Sequence, residues 1–220
     1  MPVLPSGGEH HQADPARIKV IPPPVDFNAE VSASKLEEVK ISFNLPDKFL
    51  LFVSSITARK NLSGLLEALQ MIPHSERPAL VIIGTGNQEK RLKQYVIDHD
   101  LLRDVHWVGH VNNSELPAFY HLATALVYPS FYEGFGLPIV ESLLCKTPVI
   151  TSKTSSMPEA AGPGALLINP HDPATIKEAI CHLLSDENLQ LQLAGLGHSH
   201  AAQFSRNRIA EKMLKAYRYL

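Results

Sequence analysis

Six short apolar runs, each separated from the next by a stretch with helical spacing, constrain this chain more than any other feature. They read Phe49-Leu50-Leu51-Phe52-Val53, Ala79-Leu80-Val81-Ile82-Ile83, Val105-His106-Trp107-Val108, Ala125-Leu126-Val127-Tyr128, Val149-Ile150 and Ala165-Leu166-Leu167-Ile168. Runs this short and this continuously apolar read as strands buried on both faces. Helical patterns intervene at about 61–72, 88–99 and 114–122; in the first, Leu62, Leu65, Leu66, Leu69 and Ile72 share one stripe. Strand and helix in alternation predict a doubly wound, Rossmann-like α/β fold with a parallel sheet covered on both faces. Ligands of such sheets bind at the C-terminal ends of the strands. Three helical segments at about 173–185, 187–204 and 206–220 close the chain. Before the first run, Ile18-Lys19-Val20-Ile21 reads as a short strand ended by Pro22-Pro23-Pro24, and 32–44 as a peripheral helix. Positions 1–17 read as a flexible lead-in.

A length of 220 residues fits one domain able to bury its own core. Lys and Arg total 20 against 22 Asp and Glu, a net charge of −2, which excludes a protein that engages nucleic acid mainly by bulk charge. No 18-residue apolar run exists, so no transmembrane segment is expected. The first eleven positions lack the basic start and apolar core of a signal peptide. Cys145 and Cys181 fall in helical, apolar patterns at a spacing that suits neither a disulfide framework nor zinc, so reduced thiols are expected.

The segment with chemistry in it runs from Pro129 to Glu141: Pro-Ser-Phe-Tyr-Glu-Gly-Phe-Gly-Leu-Pro-Ile-Val-Glu. The fourth strand stops at Pro129, the glycines allow a tight turn, and Pro138 fits a first helical turn, where its missing N–H costs nothing. Such a turn aims unpaired backbone N–H groups and a positive helix end at one point, which suits an anion. Glu133 stands at the mouth of the turn and Glu141 about one turn into the helix. That arrangement fits a sugar joined to a diphosphate. Two surface glutamates around an ordinary turn, or the acid and nucleophile of a glycoside hydrolase, are the competing readings of the pair. Arg59-Lys60, in the loop after the first core strand, places two cations where a strand hands over to a helix N-terminus, a position suited to a diphosphate but also to a solvated basic pair.

The Glu-x7-Glu spacing around Gly134-Phe135-Gly136, with Tyr128-Pro129-Ser130 before it and Thr147-Pro148-Val149-Ile150-Thr151-Ser152 after it, resembles the retaining family-4 (group 1) glycosyltransferases of GT-B type. The likeness is to their C-terminal, donor-binding half and covers about 18–220. It implies transfer of a hexose, mannose being one candidate, from a nucleoside diphosphate sugar to a glycan or lipid-linked acceptor. Neither a cofactor nor a metal is implied. By resemblance Glu133 faces the hexose, and Lys60 with Arg59 takes the diphosphate beside the backbone of Gly134, Phe135, Gly136 and Leu137. Glu141 would hold the ribose hydroxyls, and the backbone near Val111 the base. Family members carry an N-terminal acceptor domain before the strand near Ile18. The resemblance therefore implies that such a domain or subunit is needed, and a cytoplasmic protein peripheral at the membrane through it. A non-catalytic nucleotide-sugar-binding module and a sugar epimerase of related architecture are the alternatives.

Several further motifs carry less. Gly84-Thr85-Gly86 begins like a dinucleotide fingerprint, but Glu89 occupies its third glycine position, so a plain turn is expected. Asp98-His99-Asp100 spells a metal-binding Asp-x-Asp, yet falls at the end of a helical pattern rather than after a buried strand. The eleven histidines join no carboxylate or cysteine at ligand spacing. His110, a polar loop histidine, reads as incidental. Where many family members have glycine, this chain has Ser54 and Lys146, which puts the local turns in question. Ser156-Met157-Pro158-Glu159 resembles a family stretch beside the donor pocket, with Glu159 shaping the loop.

Overall fold

Neighbouring side chains on a strand point to opposite sides of its sheet, and here both sides are buried. Phe49, Leu51, Val81, Ile83, Leu126, Tyr128 and Val149 enter one core; Leu50, Phe52, Leu80, Ile82, Ala125, Val127, Ile150 and Ile168 enter the other. The computed structural model describes residues 18–218. The expected lead-in at 1–17, and Leu220 at the end of the last helical pattern, lie outside them.

Strands β1 (Phe49–Val53), β2 (Ala79–Ile83), β3 (Val105–Gly109), β4 (Ala125–Tyr128), β5 (Val149–Ser152) and β6 (Ala165–Ile168) form one sheet in the order β3-β2-β1-β4-β5-β6. Each neighbouring pair is parallel. Helices α1 (Ala33–Ser42), α4 (Leu116–Leu122), α5 (Leu137–Leu144) and α6 (Met157–Ala161) cover the first face, burying Val39, Phe119, Ile139, Leu143 and Met157. Helices α2 (Leu62–Gln70), α3 (Glu89–Asp98) and α7 (Pro173–Ser185) cover the second with Leu65, Leu66, Val96, Ile176 and Ile180. Helix α8 (Glu187–Ala201) serves both cores, through Leu193 and Ala201, and α9 (Arg206–Arg218) follows it. The fold is the doubly wound α/β architecture read from the alternation.

Three local features differ from the sequence reading. Residues 18–21 form no strand; the segment makes one isolated bridge further on, between Val25 and Ser205, with Val25 N–H donating to the Phe204 carbonyl at 2.9 Å. Pro22, Pro23 and Pro24 lack the donors a ladder needs, and Ile18 and Val20 are exposed. The helix expected from position 61 starts at Leu62, because Ala58–Lys60 form a 3₁₀ turn and Asn61 takes a left-handed φ of 55°. Residues 157–161 form the short α6, with Pro158 in its first turn.

The lysine at 146 keeps a glycine-like turn. Its φ is +58°, a conformation that costs a side-chain-bearing residue roughly 1–2 kcal/mol. The following Thr147 holds the turn through its N–H, which donates to the Ser142 carbonyl at 3.0 Å, and its hydroxyl, which donates to the Tyr120 carbonyl at 2.7 Å.

Candidate functional site

The strand order reverses between β1 and β4, and a reversal opens a crevice at the C-terminal ends of the two strands. The loops leaving those strands carry Arg59, Lys60 and Glu133. Asn61, 2% exposed, ties them together. Its side-chain oxygen caps α2 by accepting from Gly64 N–H at 3.2 Å, and its amide donates to the carbonyls of Pro129 at 3.1 Å and Pro170 at 2.7 Å. The Phe131 N–H donates to the Arg59 carbonyl at 2.9 Å and joins the loops a second time. Hydroxyls from the segment after β5 brace the far side. Ser155 accepts from Glu133 N–H at 3.1 Å, Ser156 donates to the Glu133 carbonyl at 2.9 Å, and Thr154 donates to the Phe131 carbonyl at 3.1 Å.

Within this frame Glu133 holds both cations. Lys60 Nζ lies 2.6 Å from Glu133 Oε1, and Arg59 Nη1 lies 2.8 Å from Oε2. The Tyr128 hydroxyl sits between the first two, accepting from Lys60 at 2.7 Å and donating to Glu133 at 3.1 Å. Lys60 and Glu133 are buried, 8% and 7% exposed, whereas the Arg59 side chain is half-exposed. Burial pushes the Glu133 carboxyl up, but hydrogen bonds from Lys60 and Arg59 outweigh it and hold the group below the ordinary glutamate range. Burial, then the charge of Glu133, drives the Tyr128 phenol far above its ordinary value, so it stays a hydrogen-bond donor. The wholly buried Ser130 hydroxyl lies beside this cluster, and among the described residues it makes no hydrogen bond.

The turn that follows supplies backbone donors. Gly136 has a φ of +96°, and a Cβ there would come within 2.9 Å of Ile139, so the step into α5 requires glycine. Among the described residues, the N–H groups of Gly134, Phe135, Gly136 and Leu137 donate no hydrogen bond, as befits the N-terminal end of a helix. The Phe135 side chain packs edge-on against Phe204 at 5.1 Å and is nearly buried, so its backbone is what this residue offers a ligand. Gly134 faces open space. Gly84 and Gly86 meet the loop after β1: a Cβ on Gly84 would lie 1.9 Å from the Ser54 carbonyl oxygen, and one on Gly86 2.3 Å from that of Ile56. Close packing of two loops accounts for those glycines, in keeping with a plain turn.

Glu141 stands apart from the charged cluster. It lines a cavity of about 370 Å³ together with Asp26, Asn28, Asn113, Ser114 and Leu116. Tyr120, fully buried in α4, donates its hydroxyl to Glu141 Oε2 at 2.8 Å. Burial raises the Glu141 carboxyl above its ordinary value, and the Tyr120 hydrogen bond offsets part of that rise. Val111 follows β3 just before the cavity residues Asn113 and Ser114, with its own side chain in the core. Asp98-His99-Asp100 closes α3, where His99 stacks on Tyr95 at 3.8 Å. Among the described residues no three His, Cys, Asp or Glu side chains converge as metal ligands, and no helix is long and apolar enough to cross a membrane. Cys145 and Cys181 are free thiols.

A family model described as "Glycosyl transferases group 1" matches residues 34–197. This chain belongs to the group 1 glycosyltransferases. Among curated group 1 relatives, O-antigen chain mannosyltransferase B of Escherichia coli is 33% identical over 175 residues, covering 78% of this chain and 46% of the relative. A glycosyltransferase structure from Rickettsia africae ESF-5 superposes with a TM-score of 0.86 at 19% identity, over 97% of this chain and 60% of the other. The C-terminal domain of a group 1 glycosyltransferase (LpcC) from Francisella tularensis superposes with a TM-score of 0.67 at 24% identity, over 80% of this chain and 94% of that domain. The chain spans about half or less of the length of the curated relatives it matches.

The structure thus brings Arg59, Lys60 and Glu133 into direct contact, sets Gly134 to Leu137 next to Glu133 in the chain, and places Glu141, but not Val111, in the lining of a cavity. His110 is exposed and makes no hydrogen bond among the described residues. Sequence reasoning missed Tyr128, Tyr120 and Asn61 as site-building residues. For the tyrosines the available signal was a hydroxyl at the end of an otherwise apolar pattern, a group that demands a partner when buried.

Proposed function

We propose that this chain is the donor-binding side of a retaining glycosyltransferase that transfers a hexose from a nucleoside diphosphate sugar to a glycan or lipid-linked acceptor. The observation that carries the reading is the convergence of Lys60, Arg59 and the free N–H groups of residues 134–137 on one crevice at the sheet's switch point. Fixed donors there would stabilise the charge that builds on the departing diphosphate, usually the largest catalytic term, with one such donor worth about 3 kcal/mol. Glu133 would face the hexose. Glu141 would hold the ribose diol, which a carboxylate can accept from twice, with the base toward the backbone near Val111. The E. coli mannosyltransferase likeness favours mannose as the hexose. The acceptor would be held by a further domain or subunit, consistent with relatives roughly twice as long, and through it the protein would sit at the cytoplasmic face of a membrane.

Binding would need no divalent ion, the charge of the diphosphate being met by Lys60, Arg59 and backbone. Titration calorimetry against UDP, GDP, ADP and their sugars in excess chelator tests this; affinity lost on chelation and restored by Mg²⁺ would overturn it. In the same assay Lys60→Ala should weaken inorganic pyrophosphate and nucleoside diphosphates alike by about 1.5–3 kcal/mol. Glu141→Ala should weaken only ligands that carry ribose. Equal pyrophosphate affinity in wild type and Lys60→Ala would show the cations to be a surface feature.

A further inference from the structure

The Glu141 carboxylate has, among the described residues, one hydrogen-bond partner, and it is a side chain with no other polar contact: the hydroxyl of Tyr120. Tyr120 is fully buried. Phe27 packs edge-on against its ring at 5.8 Å, and its backbone carbonyl is held by Thr147 at 2.7 Å, so the hydroxyl has little freedom to move. Because the bond is made to Oε2, the other carboxylate oxygen, Oε1, accepts no hydrogen bond from the described residues, on a side chain that lines the 370 Å³ cavity. A phenol on the protein side of a carboxylate fixes its rotamer and leaves its second oxygen for a ligand.

We propose that Tyr120 is a positioning residue for nucleoside recognition, orienting Glu141 so that its free oxygen meets the ribose diol. This rests on the reading of Glu141 as the ribose ligand. The chemistry has two parts. Held by Tyr120, the carboxylate meets the ligand without first losing side-chain freedom, a cost that ordering on binding otherwise adds. The same hydrogen bond favours the ionised carboxylate against its burial, and the ionised form is the better acceptor for two hydroxyls. The other titratable groups around Glu141 do not supply this. Cys145, at the end of the same helix, is pushed up to about 12 by burial and then by Glu141, so it stays neutral. Across the cavity Asp26 is paired with Arg206, and Glu30 is exposed and is itself a carboxylic side chain with no hydrogen to offer Glu141 in a fixed geometry.

The test is Tyr120→Phe, which keeps the buried ring and removes only the hydroxyl. Inorganic pyrophosphate, UDP, GDP and ADP are titrated into wild type, Tyr120→Phe, Glu141→Ala and the double variant over a range of pH. The expected result is a loss of about 5- to 10-fold for the best-bound nucleoside diphosphate, with pyrophosphate affinity within twofold. The pH below which nucleoside affinity falls should also move upward in Tyr120→Phe, since Glu141 loses the bond that favours its charge. Tyr120→Phe should add nothing in the Glu141→Ala background, because residues acting as one unit are non-additive. Pyrophosphate and nucleotide weakened equally, full additivity, or an unmoved pH dependence would each overturn the proposal and leave Tyr120 a packing residue. Wild-type protein that binds nucleoside diphosphates no better than pyrophosphate would instead remove the ribose reading of Glu141, and the proposal with it.

Discussion

Lys60 Nζ and Glu133 Oε1 lie 2.6 Å apart, so the cation proposed for the diphosphate is held by the carboxylate proposed for the hexose. Arg59 closes on the other oxygen of the same carboxylate. Glu133 therefore occupies the two cations with its own negative charge, and a diphosphate entering the crevice must compete with it. If phosphates took Lys60 and Arg59, the Tyr128 hydroxyl would remain to hold Glu133.

Glu133→Gln should accordingly bind inorganic pyrophosphate more tightly than wild type, by about tenfold or more, because no anion competes for the cations. It should also lose about 3 kcal/mol of stability without ligand, since removing one partner leaves the buried Lys60 uncompensated. Pyrophosphate should restore much of that loss. Thermal melts with and without pyrophosphate read both effects. A melting shift on ligand addition no larger than that of wild type would show that Glu133 does not compete.

The two glutamates should respond to pH in opposite senses. Glu133 is held below its ordinary pKa, so its ion pairs contribute stability that is fully present above the unfolded value, about 4.3, and is lost as pH falls through the folded value. Glu141 is raised by burial, so its contribution is fully present below the unfolded value and is lost as pH rises through the folded one. The nucleoside part of binding should therefore fail first on acidification, while pyrophosphate binding persists and then strengthens as Glu133 protonates. Titrations of pyrophosphate and a nucleoside diphosphate from neutrality into the carboxylate range check the order. A common midpoint for both ligands would contradict it.

Asn61 should matter more to folding than a residue beside a charged pair usually does. Asn61→Ala deletes a helix cap and orphans two carbonyls, of Pro129 and Pro170, in one step. Caps are worth about 1 kcal/mol and buried unsatisfied acceptors about 1–3 kcal/mol each. A net loss of about 3 kcal/mol is expected, seen as a fall in Tm of roughly 6–12 °C for a domain of this size. A fall of under 2 °C would mean that water or neighbouring groups satisfy the carbonyls.

How far the sequence could be read follows from which interactions are local. Phe49–Val53 and Ala79–Ile83 declare themselves because a strand buried on both faces has no polar residue to confuse the pattern, and the helices between them carry one apolar stripe each. Glu133 and Glu141 were legible because the turn between them needs glycine at 136 and tolerates proline at 138. The contact between Glu133 and Lys60, 73 positions apart in the chain, was not: residues assigned to neighbouring parts of a ligand gave no sign that they hold each other in its absence. Tyr120 was hidden for the same reason, since Glu141 lies 21 positions away, and so was the bond that Tyr128 accepts from Lys60, 68 positions away. The strand expected at 18–21 failed because apolar residues mark burial only where backbone donors can also pair, and Pro22 to Pro24 withhold them.

Transfer is the step that the described fold is least equipped to perform by itself. Lys60, Arg59, Glu133 and the turn into α5 gather at the β1–β4 switch point, and the proposed reading gives all of those groups to the donor. An acceptor hydroxyl must also be held near the anomeric carbon with water excluded, positioning that can lower a barrier by as much as ~7–11 kcal/mol. On α9, Ile209 is buried but Met213, Leu214 and Tyr217 are exposed, an apolar strip that suits contact with a second domain. A protein consisting of residues 1–220 should therefore bind the donor yet release little sugar to any acceptor, with slow hydrolysis of the donor as its main turnover. Incubation with radiolabelled sugar nucleotide and a panel of glycan and lipid-linked acceptors measures both products. Efficient transfer with no other protein present would place the acceptor site within these residues.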